Sequence, residues 1–229
     1  MDAMAPTEPT LRERKKLRTR QALIDTALRR FTGQGFDGTT LDELCADVEV
    51  SKRTFFRYFT TKEDVAMAPT QDLWAAFLAD LETREPNGSP LLGLLQDALL
   101  AALDRMSAEG WADRVLRSRR LAADTPSMNA HGLDFCDRTT RTAIKILEER
   151  FGFDPHDLRP RLALDVVVAA FHCALEGWTF QSGPAGRDGL AIRLREAFCA
   201  VPGIITMTVP QPVTRSPRQE FPGTPRTDD

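Results

Sequence analysis

Two short helical segments lie only three residues apart near the start of the chain. Thr40 and Glu43 form a capping box, in which the threonine hydroxyl accepts a backbone N–H and the glutamate reaches back to the N-cap. Ser51 is an N-cap residue at the start of the second segment. The spacing predicts helices over 40–47 and 51–58 with a very short connection, which is the arrangement that a helix-turn-helix requires.

The second of these helices divides into an apolar side and a charged side. Phe55 and Phe59 are four residues apart and can face the core. The opposite side carries basic and hydroxyl side chains that can reach base edges, thymine methyls or phosphates. Taken singly, these charges are as typical of a solvated helix face, but together with the caps and the short turn they favour DNA binding. The candidate contacts from this pattern are Lys52, Arg53, Thr54, Arg57, Tyr58 and Lys62.

Charge is distributed unevenly along a chain whose formal net charge is -3. Residues 11–62 contain 12 Lys/Arg and 7 Asp/Glu, whereas residues 63–229 contain 18 and 24. The N-terminal unit is therefore basic and the larger body is acidic. Such a distribution predicts local contact between the N-terminal unit and a polyanion.

The cysteines and histidines show no metal-binding spacing. Cys45, Cys136, Cys173 and Cys199 include no C-x-x-C pair, and no histidine completes a zinc pattern. We therefore expect reduced, buried thiols and neither a metal nor a cofactor. The chain lacks the apolar run of a signal peptide and lacks about 18 unbroken apolar residues for a membrane span, so we expect a cytoplasmic protein without membrane contact.

Helical periodicity dominates the chain. No sustained two-residue alternation and no Asn-Gly or Asp-Gly hairpin turn between apolar runs indicates strands. We predict an all-α fold with an N-terminal three-helix domain and a larger helical domain. The predicted divisions are a disordered arm at 1–10, a helix-turn-helix domain at 11–64, a helical domain at 65–201 and a disordered, proline-rich tail at 202–229. The predicted longer helices are 11–32, 61–84, 90–106, 110–122, 126–151, 157–181 and 187–200.

Residues 21–65 resemble the DNA-binding domain of the TetR family of transcriptional repressors. The resemblance rests on Gln34-Gly-Phe-Asp-Gly-Thr-Thr-Leu-Asp-Glu-Leu44 and Val50-Ser-Lys-Arg-Thr-Phe-Phe-Arg-Tyr-Phe-Thr-Thr-Lys-Glu-Asp64. Two residues depart from the family pattern: Glu49 stands where glycine is usual, and Phe56 where tyrosine is common. A left-handed Glu49 would cost about 1 kcal/mol. The resemblance implies DNA contacts from Thr40, Lys52, Arg53, Thr54, Tyr58 and Lys62.

In this family the C-terminal domain pairs with its twin and encloses an effector pocket. Bulky apolar helix faces and the arginine-rich run 114–120 could supply such a pocket and hold a carboxylate or phosphate. The same faces are as typical of core packing, and the arginines of a solvated helix. A looser similarity at 115–125 implies a small hydrophobic or acyl-CoA-like effector. The candidate ligand contacts are Trp74, Phe77, Met106, Trp111, Arg117, Arg120, His131, Phe135, Phe171 and Trp178.

The last two predicted helices are apolar enough to form a homodimer interface. Two such helices from each chain would build a four-helix bundle about a two-fold axis. A two-fold dimer predicts a pseudo-palindromic operator with half-sites about 34–36 Å apart or a multiple of that spacing. The candidate interface residues are Leu162, Leu164, Val167, Val168, Phe171, Leu190, Ile192, Leu194 and Phe198.

The predicted function is therefore a repressor that a small effector releases from double-stranded operator DNA. The helix from Thr61 to Arg84 is the expected lever between the two domains. The alternative is a helix-turn-helix DNA-binding protein that is regulated by a protein partner and not by a small ligand. We expect no catalysis, because the chain contains no Gly-x-Ser-x-Gly, no glycine-rich phosphate loop and no His-Glu-x-x-His.

Overall fold

The computed structural model describes residues 10–179 and 186–209, and every regular element within these ranges is a helix, which confirms the all-α prediction. None of these helices is long and apolar enough to cross a membrane. The helices are α1 (Leu11–Gln34), α2 (Leu41–Asp47), α3 (Lys52–Phe55), α4 (Lys62–Thr83), α5 (Leu91–Asp104), α6 (Trp111–Asp124), α7 (Pro126–Phe151), α8 (Leu158–Thr179) and α9 (Arg187–Ile204).

The ends of the described ranges bear on the predicted arm and tail. Residues 1–9 of the arm and 210–229 of the tail lie outside the described residues. Thr10, placed in the arm by the prediction, is the N-cap of α1 and forms a capping box with Glu13. At the other end, α9 continues through Pro202 to Ile204, two residues beyond the first residue of the predicted tail.

The turn between α2 and α3 is closed by a Schellman motif. Glu49 has a φ of 55°, and its backbone N–H donates to the carbonyl of Ala46 at 3.1 Å. The N–H of Val50 donates to the carbonyl of Cys45 at 2.9 Å. These two bonds satisfy carbonyls that the end of α2 would otherwise leave unpaired. The left-handed conformation anticipated for Glu49 is confirmed.

Replacing Glu49 by glycine is expected to raise the free energy of unfolding by about 1 kcal/mol, because glycine adopts a positive φ without a Cβ clash. Glu49→Ala keeps the Cβ and removes only the carboxylate, so it is the matched control and should change stability much less. Urea denaturation of the two variants measures the difference. Equal stability of the glycine and alanine variants would show that this turn stores no backbone strain.

Helix α3, the second or recognition helix of the predicted helix-turn-helix, is shorter than the segment 51–58 that the sequence predicted. α3 ends at Phe55, after which the N–H of Tyr58 donates to the carbonyl of Phe55 at 2.8 Å in a tighter, three-residue turn. Phe55 and Phe59 are nevertheless both buried, as their spacing predicted. The prediction gave the correct core face but the wrong helix end, because a capped start carries a sequence signal that this tightened end lacks.

Helix α4 belongs to two hydrophobic cores at once. Val65 and its neighbours in the first turns pack with the buried residues of α1–α3, whereas Trp74 and Phe77 pack in the core of the C-terminal domain. Pro69 lies between these two segments. Its carbonyl accepts a hydrogen bond from the buried indole of Trp111 on α6 at 2.9 Å. A displacement of α4 is therefore transmitted to the packing of both domains.

Ion pairs hold α1 against the C-terminal domain. Arg20 forms two hydrogen bonds of 2.8 Å with the carboxylate of Asp72 on α4. In a second ion pair, Nη1 of Arg114 on α6 lies 3.3 Å from a carboxylate oxygen of Asp25 on α1. Bidentate arginine–carboxylate geometry fixes orientation as well as distance. The position of the helix-turn-helix thus depends on α1 as well as on α4.

Helices α8 and α9 pack against each other, but most of the predicted interface residues lie inside the protomer. Leu162 and Ile192 are 60% and 56% exposed and Leu158 is 74% exposed, so they form the outward apolar face. Periodicity alone cannot separate packing within a protomer from packing between protomers, because both bury apolar side chains. The predicted interface residues that are buried in the protomer are Leu164, Val167, Phe171, Leu190, Leu194 and Phe198.

Candidate DNA-binding surface and effector cavity

A basic groove runs between the N-terminal half of α1 and the α3 region. Four of its side chains are cationic and one is anionic, so the groove attracts a polyanion. The capping box at Thr10 begins α1 at this groove and keeps its first turn helical. The groove is lined by Thr10, Arg12, Glu13, Lys15, Lys16, Thr19, Val50, Thr54, Arg57 and Tyr58.

The first turn of α3 presents three of the predicted DNA contacts in different environments. Arg53 is solvent-exposed. Lys52 is also exposed, but its Nζ is paired with a carboxylate oxygen of Asp42 at 2.9 Å. Thr54 is half-buried, and its hydroxyl oxygen lies 3.1 Å from that of Ser51, the N-cap of the helix. Arg53 is therefore the side chain of the three that can approach DNA without giving up an existing contact.

Two further candidates, Arg57 and Thr40, differ in how they are held. The guanidinium carbon of Arg57 lies 5.3 Å from the ring centroid of Tyr58, a cation–π contact that keeps both side chains at the groove. Thr40 donates its hydroxyl to a carboxylate oxygen of Glu43 at 2.8 Å and accepts the Glu43 N–H at 3.3 Å. Hydrogen bonds from the Thr40 backbone and hydroxyl hold the pKa of Glu43 below its ordinary value. A phosphate could use the Thr40 hydroxyl proton only in competition with Glu43.

The ammonium group of Lys62 is directed at the connection between α1 and α2. Its Nζ donates to the carbonyls of Phe36 at 2.8 Å and Thr39 at 3.0 Å. It also lies 4.6 Å from the ring centroid of Phe36. These contacts tie the first turn of α4 to the helix-turn-helix. Because an ammonium group has three N–H donors, a phosphate contact from Lys62 would depend on the third.

A cavity of about 340 Å³ lies among α4, α6, α7 and α8. The rings of Trp74 and Phe171, which both line it, meet edge to face with centroids 5.2 Å apart. Leu133 lines it and is 75% exposed, so the cavity reaches the surface there. Mostly apolar walls with a few polar groups are typical of ligand sites. The apolar lining residues include Met67, Trp74, Met128, Leu133, Phe135, Phe171 and Leu175, and the polar ones include Gln71, Ser118, Arg119, Asn129 and His172.

The electrostatics of this cavity are set by Arg119. Among the described residues that line it, only Arg119 carries a permanent charge. Its Nη2 lies 3.5 Å from a carboxylate oxygen of Glu176, and the two side chains are 41% and 62% exposed. Desolvation, followed by the nearby Arg119 guanidinium, lowers the pKa of His172, so the imidazole is neutral near pH 7. The cavity therefore suits an apolar molecule with an anionic group at its mouth.

A smaller void adjoins the cavity. Its volume is about 10 Å³. Trp74, Phe135 and Cys136 line both the void and the cavity, whereas Phe77 lines the void and not the cavity. Desolvation raises the pKa of the Cys136 thiol, so the thiol is protonated near neutral pH. These shared side chains are the partition through which a longer apolar ligand would have to extend.

The structure brings together only part of the predicted ligand set. Trp74, Phe135 and Phe171 line the cavity, and Phe77 lines the adjoining void. The others lie elsewhere because helical spacing selects a face without saying which neighbouring helix that face meets. Met106 and Trp111 flank the start of α6, Arg117 and Arg120 line a groove beside the end of α1, His131 contacts Asp64, and Trp178 lies in the main core.

Most of the cavity lining is absent from the predicted ligand contacts, including Gln71, Leu133 and Arg119, although Arg119 lies within the arginine-rich run 114–120. A signal for Arg119 did exist, because it follows Val115 by four residues and so shares its side of α6. Val115 is buried, whereas Arg117 and Arg120 are exposed. Gln71 precedes Trp74 by three residues on α4, which is the same kind of signal. The mouth position of Leu133 has no such signal, because an exposed leucine is common on any surface.

A capped helix-turn-helix with a basic groove, joined by one continuous helix to a helical domain that holds an apolar cavity, defines a DNA-binding regulator of the ligand-responsive kind. Comparison with known proteins agrees with this class. Residues 23–68 match the family described as bacterial regulatory proteins, tetR family. Residues 89–201 match the domain described as the MftR C-terminal domain.

The chain belongs to the TetR family. It is 36% identical over 179 residues to the HTH-type transcriptional regulator TcmR of Streptomyces glaucescens, covering 76% of this chain and 78% of that one. It is 23% identical to the mycofactocin biosynthesis transcriptional regulator MftR of Mycobacterium tuberculosis, over 72% and 82% of the two chains. It is 24% identical to the acrEF/envCD operon repressor of Escherichia coli, over 85% and 88%. The protein is thus a DNA-binding transcriptional regulator of this family.

Proposed function

We propose that α3 enters the major groove of the operator and that Arg53 reads base edges there, with Lys52, Thr54 and Arg57 beside it. The exposure of Arg53 and the groove that Thr54 and Arg57 share with α1 support this assignment. Tyr58 and the basic start of α1 would then hold backbone phosphates, which position the helix without reading sequence. At the margin of the site, Thr40 and the third N–H of Lys62 could add phosphate contacts.

The outward face of α8 and α9 is our proposed dimer interface. It carries the exposed side chains Leu158, Leu162 and Ile192, and exposed large apolar side chains on a face shared by two packed helices are candidates for burial at an interface. A two-fold dimer built on this face would bind a pseudo-palindromic operator with half-sites about 34–36 Å apart or a multiple. A repressor of this kind would act in the cytoplasm, where bacterial operator DNA lies.

The effector that the cavity supports best is an apolar molecule with one anionic group. The observation that carries this proposal is the cavity itself, with aromatic and aliphatic walls and Arg119 at its edge. A guanidinium binds a carboxylate or phosphate with two parallel hydrogen bonds, for which Glu176 at 3.5 Å is a weak competitor. Fatty acids fit this description, and so do acyl-CoA-like ligands whose phosphates reach Arg119.

Replacement of Arg119 by methionine is expected to weaken binding of decanoate by about three- to 30-fold, because one charge-assisted contact at a partly exposed site is lost. Decanol, which has the same chain but no charge, should bind both proteins equally. Tryptophan fluorescence measures binding, and release of an operator duplex selected by the protein from a random pool measures response. The matched control is Arg161→Met, which removes an exposed arginine paired with Asp165 on α8.

The outcome for wild-type protein decides between effector classes. Release of the operator by decanoate and not by decyltrimethylammonium supports an anionic apolar effector. If no small amphiphile binds, and only a macromolecular fraction of a cell extract releases the operator, the protein-partner alternative is favoured and the effector proposal is wrong.

A further inference from the structure

One histidine stands between the cavity and the DNA-binding domain. Nε2 of His131 on α7 lies 2.7 Å from a carboxylate oxygen of Asp64 in the first turn of α4. The same atom lies 3.3 Å from the side-chain nitrogen of Gln71, two turns further along α4. His131 and Asp64 are 17% and 18% exposed, so the pair is largely shielded from water. Gln71 itself lines the cavity.

The His131 Nε2 atom cannot donate a hydrogen bond to Asp64 and accept one from Gln71 at the same time. In the neutral tautomer that carries the proton on Nε2, this nitrogen donates to Asp64 and offers no lone pair to the Gln71 amide N–H. In the other neutral tautomer the proton has moved through solvent to Nδ1, so the lone pair of Nε2 accepts from Gln71 and the nitrogen no longer donates to the carboxylate. The shorter distance to Asp64 shows which partner His131 keeps in this structure. The two contacts are therefore alternatives.

Asp64 is also the residue that fixes the connection between α3 and α4. Its carboxylate accepts the backbone N–H of Thr60 at 2.9 Å and the Thr60 hydroxyl. Its own N–H donates to the hydroxyl of Thr61, the N-cap of α4, at 3.0 Å. Burial opposes ionisation, but the Thr60 hydrogen bonds and His131 hold the pKa of Asp64 below its ordinary value. Anything that removes His131 from Asp64 therefore loosens the joint directly after the recognition helix.

We propose that His131 transmits cavity occupancy to the DNA-binding domain by exchanging Asp64 for Gln71 as its hydrogen-bond partner. This inference rests on the proposed function, in which the cavity holds the effector. An apolar occupant removes water from the Gln71 amide, which must then find a protein partner or stay unsatisfied. His131 is within reach of that amide. Its transfer leaves Asp64 without the ring, and the recognition helix loses a fixed orientation.

Helices α7 and α4 are in close contact next to His131. A Cβ built on Gly132, the next residue of α7, would lie 3.0 Å from the terminal methyl of Met67 on α4. Because protein interiors are close-packed, transfer of the His131 ring from Asp64 to Gln71 is expected to change the packing of α4 against α7. In the proposal, the exchange at His131 and a displacement of α4 are two parts of one two-state element.

A ligand-free experiment tests the exchange. Gln71→Glu is isosteric and supplies a carboxylate that competes with Asp64 for the protonated Nε2. The variant is expected to bind the selected operator duplex about two- to 30-fold more weakly than wild type with no ligand present. In a His131→Leu background the same substitution should change operator affinity by less than about twofold. An equal loss in both backgrounds would show that Gln71 acts without His131 and would overturn the proposal.

A second arm uses saturating decanoate, with saturation of each variant established by tryptophan fluorescence. For wild type, decanoate should raise the operator dissociation constant by about five- to 150-fold, the usual range of allosteric coupling. For Gln71→Leu, which cannot take the ring from Asp64, this ratio should fall towards one. Asp137→Asn, which removes a half-buried carboxylate paired with Arg141 on α7 and outside the cavity lining, is the matched control and should keep the wild-type ratio.

The two arms separate failure of this inference from failure of the proposed function. Decanoate that does not bind wild type, combined with a Gln71→Glu effect that needs His131, contradicts the effector class and supports the exchange. Decanoate that releases wild type and Gln71→Leu equally contradicts the exchange and supports the effector class. Thermal midpoints of all variants within a few degrees of wild type establish that none of these differences reflects unfolding.

Discussion

Replacement of Phe55 by alanine is expected to lower the free energy of unfolding of the DNA-binding domain by about 3–5 kcal/mol and to abolish operator binding. The Phe55 side chain is 0% exposed, and its ring centroid lies 5.7 Å from that of Phe59. It fills the core that α1, α2 and the first turns of α4 share. Because a small domain is stable by only about 5–15 kcal/mol, a loss of this size unfolds a measurable fraction of it.

The chain offers separate reporters for its two domains. All three tryptophans lie in the C-terminal domain, so tryptophan fluorescence reports on the unfolding of that domain. The DNA-binding domain has no tryptophan, and its unfolding is followed by the loss of helical circular-dichroism signal. In Phe55→Ala, part of the helical signal should be lost at a lower temperature than the tryptophan transition. Phe56→Ala is the matched control, since Phe56 is 53% exposed and its truncation should cost less than about 1 kcal/mol. A Phe55→Ala protein as stable as Phe56→Ala would contradict the assignment of Phe55 to the core.

The DNA-binding domain could be predicted closely because its signals are local. The Thr40 and Ser51 caps fix helix starts through side-chain bonds to backbone groups three residues away, and both caps are present. The resemblance to the family, in which glycine is usual at position 49, raised the question of strain at Glu49, and its φ is 55°. Such features depend on a few consecutive residues, so a sequence displays them without knowledge of the rest of the fold.

Lys62 illustrates what the sequence could not display. Its position in the first turn of a helix predicted a phosphate contact, but its ammonium group donates to the carbonyl of Phe36, 26 residues earlier in the chain. Backbone carbonyls leave no mark in the sequence, so such a partner is visible only in the folded chain. The phosphate contact of Lys62 stays a prediction that must compete with this structural role.

The cavity was harder to predict for a related reason. Trp74 and Trp111 are both buried aromatic residues in the C-terminal core, and the sequence treats them alike. Trp74 lines the cavity, whereas Trp111 does not line it, and its indole N–H donates to the carbonyl of Pro69. Which aromatic side chain borders empty space depends on how four helices cross, and crossing geometry is a property of pairs of helices and not of either sequence alone.

Arg53→Ala is expected to weaken binding to the selected operator by about 1–3 kcal/mol and to relax base preference at the positions that Arg53 reads. Because the proposed dimer is two-fold, the relaxed positions should occur once in each half-site, at mirror-related places. Binding to a panel of duplexes with single base-pair changes measures both effects. Lys16→Ala, in the basic groove between α1 and the α3 region, is the control: it should weaken binding to every duplex alike and reduce the salt slope by about one charge.

The comparison of the two variants tests whether base reading and phosphate binding are divided between α3 and α1. Arg53 lies on the exposed side of α3, where a guanidinium can form two hydrogen bonds with a guanine edge, whereas Lys16 on α1 presents a point charge to the backbone. If Arg53→Ala weakens all duplexes equally, Arg53 holds phosphate and base reading must fall to Lys52, Thr54 or Arg57. If Lys16→Ala alters base preference, α1 and not α3 lies against the bases, and the orientation proposed for the helix-turn-helix is reversed.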